Sequence, residues 1–225
     1  MPVIVAANPK GGSGKSTSCL ILGTTLAGRG ASVKIIDADP QLTLGSWSKG
    51  KSRHKNIVVV PTVGEDLTDL IDRLRSEVQF VIIDVQGSAN MEIVAAMSRA
   101  NFVLIPMRAK TADARVATRA IGLVRTQEKN FQRSIPHAIM YIATNPLIIT
   151  REEKEIRKSV VEANLPFLNT SLNERTAFSH IFAQNLSLEE LSATDTNGLE
   201  AAISNANAFA DEVIETLRGK KENAA

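Results

Sequence analysis

The sequence predicts an α/β fold, a doubly wound and mostly parallel sheet with helices on both faces. Two observations carry this. Short aliphatic runs recur at Val3–Ala7, Val33–Ile36, Ile57–Val60, Phe80–Ile83, Phe102–Ile105 and Ala138–Ile142. Each reads as a strand buried on both faces, because its apolar residues are continuous, save for Lys34 in the second run. Between the runs lie longer segments with apolar residues at helical spacing. Cys19, Leu22 and Leu26 share one helix face, as do Val116, Ala120, Ile121 and Val124. Leu199, Ile203, Ala206, Ala210, Val213 and Leu217 form one stripe of a last long helix. Strands alternating with amphipathic helices need crossovers, and these place helices over both sides of a parallel sheet.

Composition narrows the function classes. The chain has 225 residues, so one domain is the expectation, taken as 1–218 with a polar, flexible tail at 219–225. Aromatics make up only 4%, which leaves the core to aliphatic packing. A single cysteine excludes an intramolecular disulfide framework and a cysteine-cluster metal site. His54, His137 and His180 have no metal-ligand spacing. No run is long and apolar enough for a membrane span, and the N-terminus lacks a secretory pattern, so the expected location is cytoplasmic. The net charge of +2 permits nucleic-acid binding only through a local patch.

The first run leads into Asn8-Pro9-Lys10-Gly11-Gly12-Ser13-Gly14-Lys15-Ser16-Thr17, followed by a helix. A strand-to-helix turn rich in glycine is what phosphate binding requires. Backbone N–H groups can close around phosphate oxygens, and the helix N-terminus adds positive potential. Residues Lys10 to Thr17 are the nucleotide-binding candidates. Lys15 would reach the β- and γ-phosphates, and the Ser16 hydroxyl would be a Mg²⁺ ligand. The loop places Pro9 where the first glycine of the usual pattern falls, and Lys10 precedes a Gly-Gly pair.

Carboxylates stand at the ends of two strands. Asp37-Ala38-Asp39-Pro40-Gln41 closes the second, and Val81-Ile82-Ile83-Asp84 the fourth. The C-terminal edge of an open parallel sheet is its ligand side. A spacing of two puts Asp37 and Asp39 on one face while the strand persists; a helix cap or an Asp-Pro turn is the alternative for each. Asp84 after an apolar strand has the Walker B form, whose carboxylate would hold Mg²⁺ through water. Asn145 follows the sixth strand, where a base-contacting residue would sit; a turn-former is its alternative.

The form Lys-Gly-Gly-x-Gly-Lys-Ser resembles the deviant Walker A loop of the phosphate-loop ATPases that include ParA-type partition ATPases, MinD-like membrane ATPases and the nitrogenase iron protein. The Asp-Pro-Gln at 39–41 with Trp47-Ser48 downstream is similar to the short ParF-like and VirC-like branch. So are Ile105-Pro106 followed by Asp113, and Asn173-Glu174-Arg175 before a helix. The sequence departs at Asp84-Val85-Gln86-Gly87-Ser88, where many partition ATPases have Asp-Pro-Pro. The resemblance implies that Lys10 reaches a partner subunit's nucleotide and that Asp39 positions the attacking water, with Lys10, Lys15 and Asp39 as the catalytic set. It puts Asp37 near the metal beside Ser16 and Asp84, and Arg175 at the DNA.

The function so implied is an ATPase using ATP and Mg²⁺. With ATP it forms a homodimer that binds DNA without sequence preference and associates with the nucleoid. A centromere-binding or cargo adaptor protein stimulates turnover, driving plasmid or cargo partition. Only seven residues precede the Asn8-Pro9-Lys10 turn, which leaves no room there for an operator-binding helix-turn-helix. A VirC-like role in conjugative DNA transfer, or positioning of a protein compartment, shares this chemistry. A MinD-like membrane role needs a basic amphipathic terminal helix; after Leu217 no apolar residue is larger than Ala. Further cations weighed for DNA are the run Lys49, Lys51, Arg53 and Lys55, and the pair Arg115 and Arg119, four apart on one helix face.

Overall fold

The computed structural model describes residues 1–52, 54–62, 66–87 and 91–222. Arg53 and Ser88 of the segments named above lie outside the described residues, as does the tail from 223.

Strands β1 (Val3–Ala6), β2 (Val33–Ala38), β3 (Ile57–Pro61), β4 (Phe80–Val85), β5 (Phe102–Arg108), β6 (His137–Thr144) and β7 (Leu172–Asn173) form one sheet in the order β3-β2-β4-β1-β5-β6-β7. Every pairing is parallel. The two-residue β7 has no apolar run to announce it; it pairs beside β6 through a register shift between Ile142 and Thr144. The helices are α1 (Lys15–Gly28), α2 (Thr43–Ser48), α3 (Leu67–Glu77), α4 (Met91–Arg99), α5 (Thr111–Phe131), α6 (Arg151–Glu162), α7 (Thr176–Gln184) and α8 (Leu199–Glu222). The last helix runs past Arg218, where the domain was expected to end. Gly219 costs a helix about 1 kcal/mol, which a long helix with no following proline absorbs by propagation.

Side chains alternate across the sheet and build two cores. Ile4 and Ala6 of β1 join Leu20, Ile35, Phe102, Phe178 and Phe209 on the side covered by α1, α7 and α8. Val3 and Val5 join Leu70, Ile83, Met97, Val124 and Tyr141 on the side covered by α3 to α6. Both faces of β1 are dry, as a central parallel strand requires. Trp47 is an inner-core anchor; it is buried, and its indole N–H donates to Leu186 O at 3.2 Å. No helix among the described residues is long and apolar enough to cross a membrane.

The topology places the functional edge. From β1 the chain crosses over β4 to reach β2, whereas β4 connects across β1 to β5. The loop after β1 therefore sits at the point where the winding reverses, with the ends of β2 and β4 on one side and those of β5, β6 and β7 on the other.

Candidate functional site

A cleft of about 700 Å³ opens at that edge. Its floor is Pro9, residues 11–14 and the first turn of α1. Asp39, Gln86 and Gly87 line the β2/β4 side, and Arg108, Ile142, Ala143, Asn173, Arg175 and Phe178 the β5–β7 side.

The loop is held by its first residue. Asn8 is buried, its Nδ2 donates to Pro106 O at 2.7 Å, and its Oδ1 accepts from Lys10 N–H at 2.9 Å. Two glycines are needed for conformation. Gly12 and Gly14 have φ of 67° and 85°, where side chains are strained. A Cβ at Gly14 would also lie 2.4 Å from Ile142 Cδ1. Lys15 is buried, and its ammonium donates to the carbonyls of Asn8 and Lys10, each at 3.2 Å. Burial lowers its pKa, opposed by Asp84 and Asp39. A cation so placed, over inward-curled backbone and beside acids, is poised for phosphate oxygens.

Asp84 is fully buried, and neither carboxylate oxygen has a partner at close hydrogen-bond geometry, the Ser16 hydroxyl lying near enough only to favour its charged form. Burial pushes its pKa up to about 7; the Ser16 hydroxyl opposes this, Asp37 adds to it, and Lys15 opposes it more weakly. An orphaned, desolvated carboxylate beside a hydroxyl fits a hard divalent cation such as Mg²⁺, which takes few protein oxygens and keeps water and phosphate for the rest. No cluster of three or more His, Cys, Asp or Glu able to hold a metal occurs among the described residues. Ser16 and Asp84 are the groups that would hold it.

The raised Asp84 pKa has a signed consequence. Between the unfolded value of 3.8 and about 7 the folded chain binds the extra proton, so this group's contribution to stability falls as pH rises through that window and stays low above it. Asp84→Asn removes the penalty. The nucleotide-free variant is expected to lose less stability between pH 5 and pH 8 than the native chain, by about 2–4 kcal/mol, which is several degrees in Tm. Thermal melts at the two pH values check this, and parallel losses in both proteins would contradict it.

Asp37 and Asp39 separate. β2 ends at Ala38, so the shared-face expectation stops short of Asp39. Asp37 is fully buried, its Oδ2 accepting from Gly45 N–H at 2.8 Å and its Oδ1 from Asp39 N–H at 3.2 Å. Its carboxylate thus anchors the turn into α2 through backbone N–H groups while lying close enough to Asp84 to raise that group's pKa; its place near a metal rests on the resemblance. Asp39 is half-buried on the cleft wall, with Oδ1 accepting from Gln41 N–H at 2.9 Å.

Lys10 does not point into empty solvent. Its ammonium pairs with Asp113 in the first turn of α5, with side-chain exposures of 45% and 4%. Asn145 and Arg175 lie in different surroundings. Asn145 is exposed and outside the cleft lining; its Oδ1 accepts from Leu147 and Ile148 N–H at 2.9 and 3.1 Å, the turn-former alternative. Arg175 lines the cleft, half-buried, with a buried Nε lacking a partner.

Sequence reasoning passed over Asn8, Gln86, Arg108 and Phe178. Asn8 carried a signal, an amide one residue before the Pro-Lys turn. Arg108 had only a weak one, a cation closing an apolar strand. Gly87 proves to be a contact residue: a Cβ there would stand 3.1 Å from Pro9 O and 3.2 Å from Gly11 N and Lys10 C. Those atoms are backbone and cannot rotate away. Gly87→Ala is expected to displace the loop and weaken ATP binding at least about tenfold, ~1.4 kcal/mol, while the fold persists. Calorimetry checks this, and unchanged affinity would mean that the loop yields freely.

Residues 4–188 match the CobQ/CobB/MinD/ParA nucleotide-binding domain family. The chain belongs to this family. ParA of Rhizobium radiobacter is 35% identical over 218 residues, spanning 96% of this chain and 98% of that protein. Two solved structures share the fold. The ATP complex of a McdA variant from Cyanothece aligns with a TM-score of 0.76 at 20% identity, covering 95% of this chain and 96% of that one. A plasmid partition protein of Borrelia burgdorferi bound to AMPPNP aligns at 0.71 and 19% identity, covering 97% and 99%. In this member of the family the glycine-rich loop after β1 lies at the winding reversal, with Asp39 and Asp84 at or next to the adjacent strand ends.

Proposed function

We propose that this chain is a ParA-like partition ATPase, a switch that dimerises with ATP and Mg²⁺, binds DNA without sequence preference, and lets go after hydrolysis stimulated by an adaptor protein. The observation that carries this reading is that Lys10, Lys15, Asp39 and the buried Asp84 all stand at one edge of the sheet, with Lys15 facing both acids and Lys10 paired with Asp113 beside them. The likeness to ParA along nearly the whole chain supports it.

The chemistry follows from charge. Phosphoryl transfer spreads negative charge over the γ-oxygens and the leaving oxygen, so catalysis is chiefly positioning and electrostatics. Lys15 and the loop N–H groups hold the phosphates, and Ser16 and Asp84 hold Mg²⁺. Asp39, at the cleft wall, orients water. Lys10 is the mobile element. In the isolated chain it is neutralised by Asp113, and in the dimer it exchanges that carboxylate for the partner's nucleotide. Exchange between two anions needs little net desolvation, so the pairing can switch without a large barrier.

The test is the mobility of unrelated duplex DNA fragments with the protein in ADP and in ATP. Retardation only with ATP, indifferent to sequence, is the expected result. Retardation in neither state, or of one fragment alone, would defeat the reading.

A further inference from the structure

The outer face of α5 carries a line of cations with no ion-pair partner among the described residues. Arg115, Arg119, Arg125 and Lys129 are all exposed, on an arc of roughly 120° at 100° per residue. The buried face, Ala117, Ala120, Ile121 and Val124, lies opposite. None of the four is within ion-pair distance of a carboxylate among the described residues. The helix's own two acids are committed elsewhere: Asp113 is buried against Lys10, and Glu128 accepts from Ile135 N–H at 2.8 Å. Neighbouring helices on the same side of the sheet interleave their charges instead. On α3, Arg73 and Arg75 pair with Glu77 and Asp72. On α6, Arg151, Arg157 and Lys158 pair with Glu155, Glu153 and Glu162. Glu155 shares a groove with Arg115 but is bound by Arg151 at 2.9 Å.

A second observation lies at the centre of the arc. Gly122 sits in mid-helix, where glycine costs about 1 kcal/mol relative to alanine. A Cβ there would meet nothing within 4 Å, so the fold does not need it bare. Thr118 and Thr126 flank it on the same face, each with its hydroxyl folded back to the carbonyl four residues earlier, at 3.0 Å. The face is thus low between its cations, as close approach of another backbone requires.

We infer that this face of α5 is the DNA-binding surface, tracking the phosphates of duplex DNA; the inference rests on the partition reading above. From Arg115 to Lys129 is about 21 Å of helix, the length of about six phosphates on one strand at 3.4 Å each. Three of the four cations are arginine, whose planar fork suits phosphate. No large apolar residue is exposed along the arc, which argues against a membrane surface. Four cations on one monomer bind weakly, and two such faces in an ATP dimer act together, so DNA binding becomes conditional on the dimer.

The experiment uses the full chain and a 30-base-pair duplex of arbitrary sequence, with affinity followed by anisotropy over a range of KCl. With ATP, log affinity against log salt should fall with a slope of about −7 if eight phosphates are neutralised. Arg119→Gln with Arg125→Gln and Lys129→Gln should make the slope shallower by about 5 units and weaken binding about 100-fold or more at moderate salt. ATP-dependent dimerisation by light scattering and basal turnover should stay at native levels. Gly122→Glu should weaken DNA binding without altering the dimer. Two comparison variants locate the site: Lys49→Gln with Lys51→Gln and Lys55→Gln, and separately Arg175→Gln. Native binding by the triple α5 variant, or loss confined to either comparison variant, overturns the assignment to α5 and leaves the partition reading standing. Capture of phosphatidylglycerol vesicles in place of DNA overturns it too. No ATP-dependent DNA binding by the native chain defeats both.

Discussion

Lys10→Ala is expected to abolish ATP-dependent dimerisation and, separately, to destabilise the monomer. The second effect arises because Lys10 is the ion-pair partner of Asp113, whose side chain is 4% exposed. Removing one member of a pair leaves the other's charge uncompensated, which costs several kcal/mol when both are buried. Lys10 is 45% exposed and water can partly replace it, so about 1–2 kcal/mol is expected, or a few degrees in Tm. Asp113→Asn separates the two effects. It frees Lys10 while keeping the shape of the site, so the ATP dimer should form at lower protein concentration than in the native chain. Light scattering against protein concentration, with ATP and with ADP, reads both variants. A full ATP dimer in Lys10→Ala would show that the lysine belongs only to the intrachain pair. An unchanged dimer in Asp113→Asn would show that the pair does not restrain it.

Asp39→Ala is expected to lower ATP turnover by about 10²-fold or more, the range for loss of a group that orients or deprotonates the nucleophile, while ATP binding and the dimer persist. Among the described residues Asp39 borders the cleft with Gln41 N–H on one oxygen alone, which leaves its other oxygen for water. Deleting a negative charge near a triphosphate also relieves repulsion, so affinity should hold or rise. The variant would remain on DNA after the native protein has cycled off. Turnover measured beside DNA retention over time, with and without an adaptor, distinguishes the outcomes. Native turnover would reduce Asp39 to a turn residue before Pro40. Lost ATP binding would move it among the metal-holding groups.

The sequence by itself determined six of the seven strands, three of the helices and the glycine-rich loop between β1 and α1. These are local matters. A run such as Val81-Ile82-Ile83 is buried wherever it pairs, and Gly12 and Gly14 permit their backbone conformations whatever packs around them. Lys15 and Ser16 are placed by a loop and helix contiguous with them in the chain, so their spacing already contains their geometry.

Tertiary structure decided everything that depends on which distant segments meet. Lys10 meets Asp113, 103 positions away, because β1 lies beside β5 in the sheet. Asn8 holds Pro106 O across 98 positions for the same reason. Asp37 and Asp39 look alike in sequence, but β2 stops at Ala38, and the turn into α2 takes the Asp37 carboxylate for its own N–H groups. Arg175 borders the cleft because β7, too short to show in the hydrophobic pattern, pairs with β6. Arg125 and Lys129 align with Arg115 and Arg119 only once α5 is seen to run unbroken from Thr111 to Phe131 with its acids turned away. Patterning selects buried faces through the hydrophobic effect, which is non-directional. The pairing of individual polar groups is settled by strand order and register, and those emerge only when the whole sheet packs.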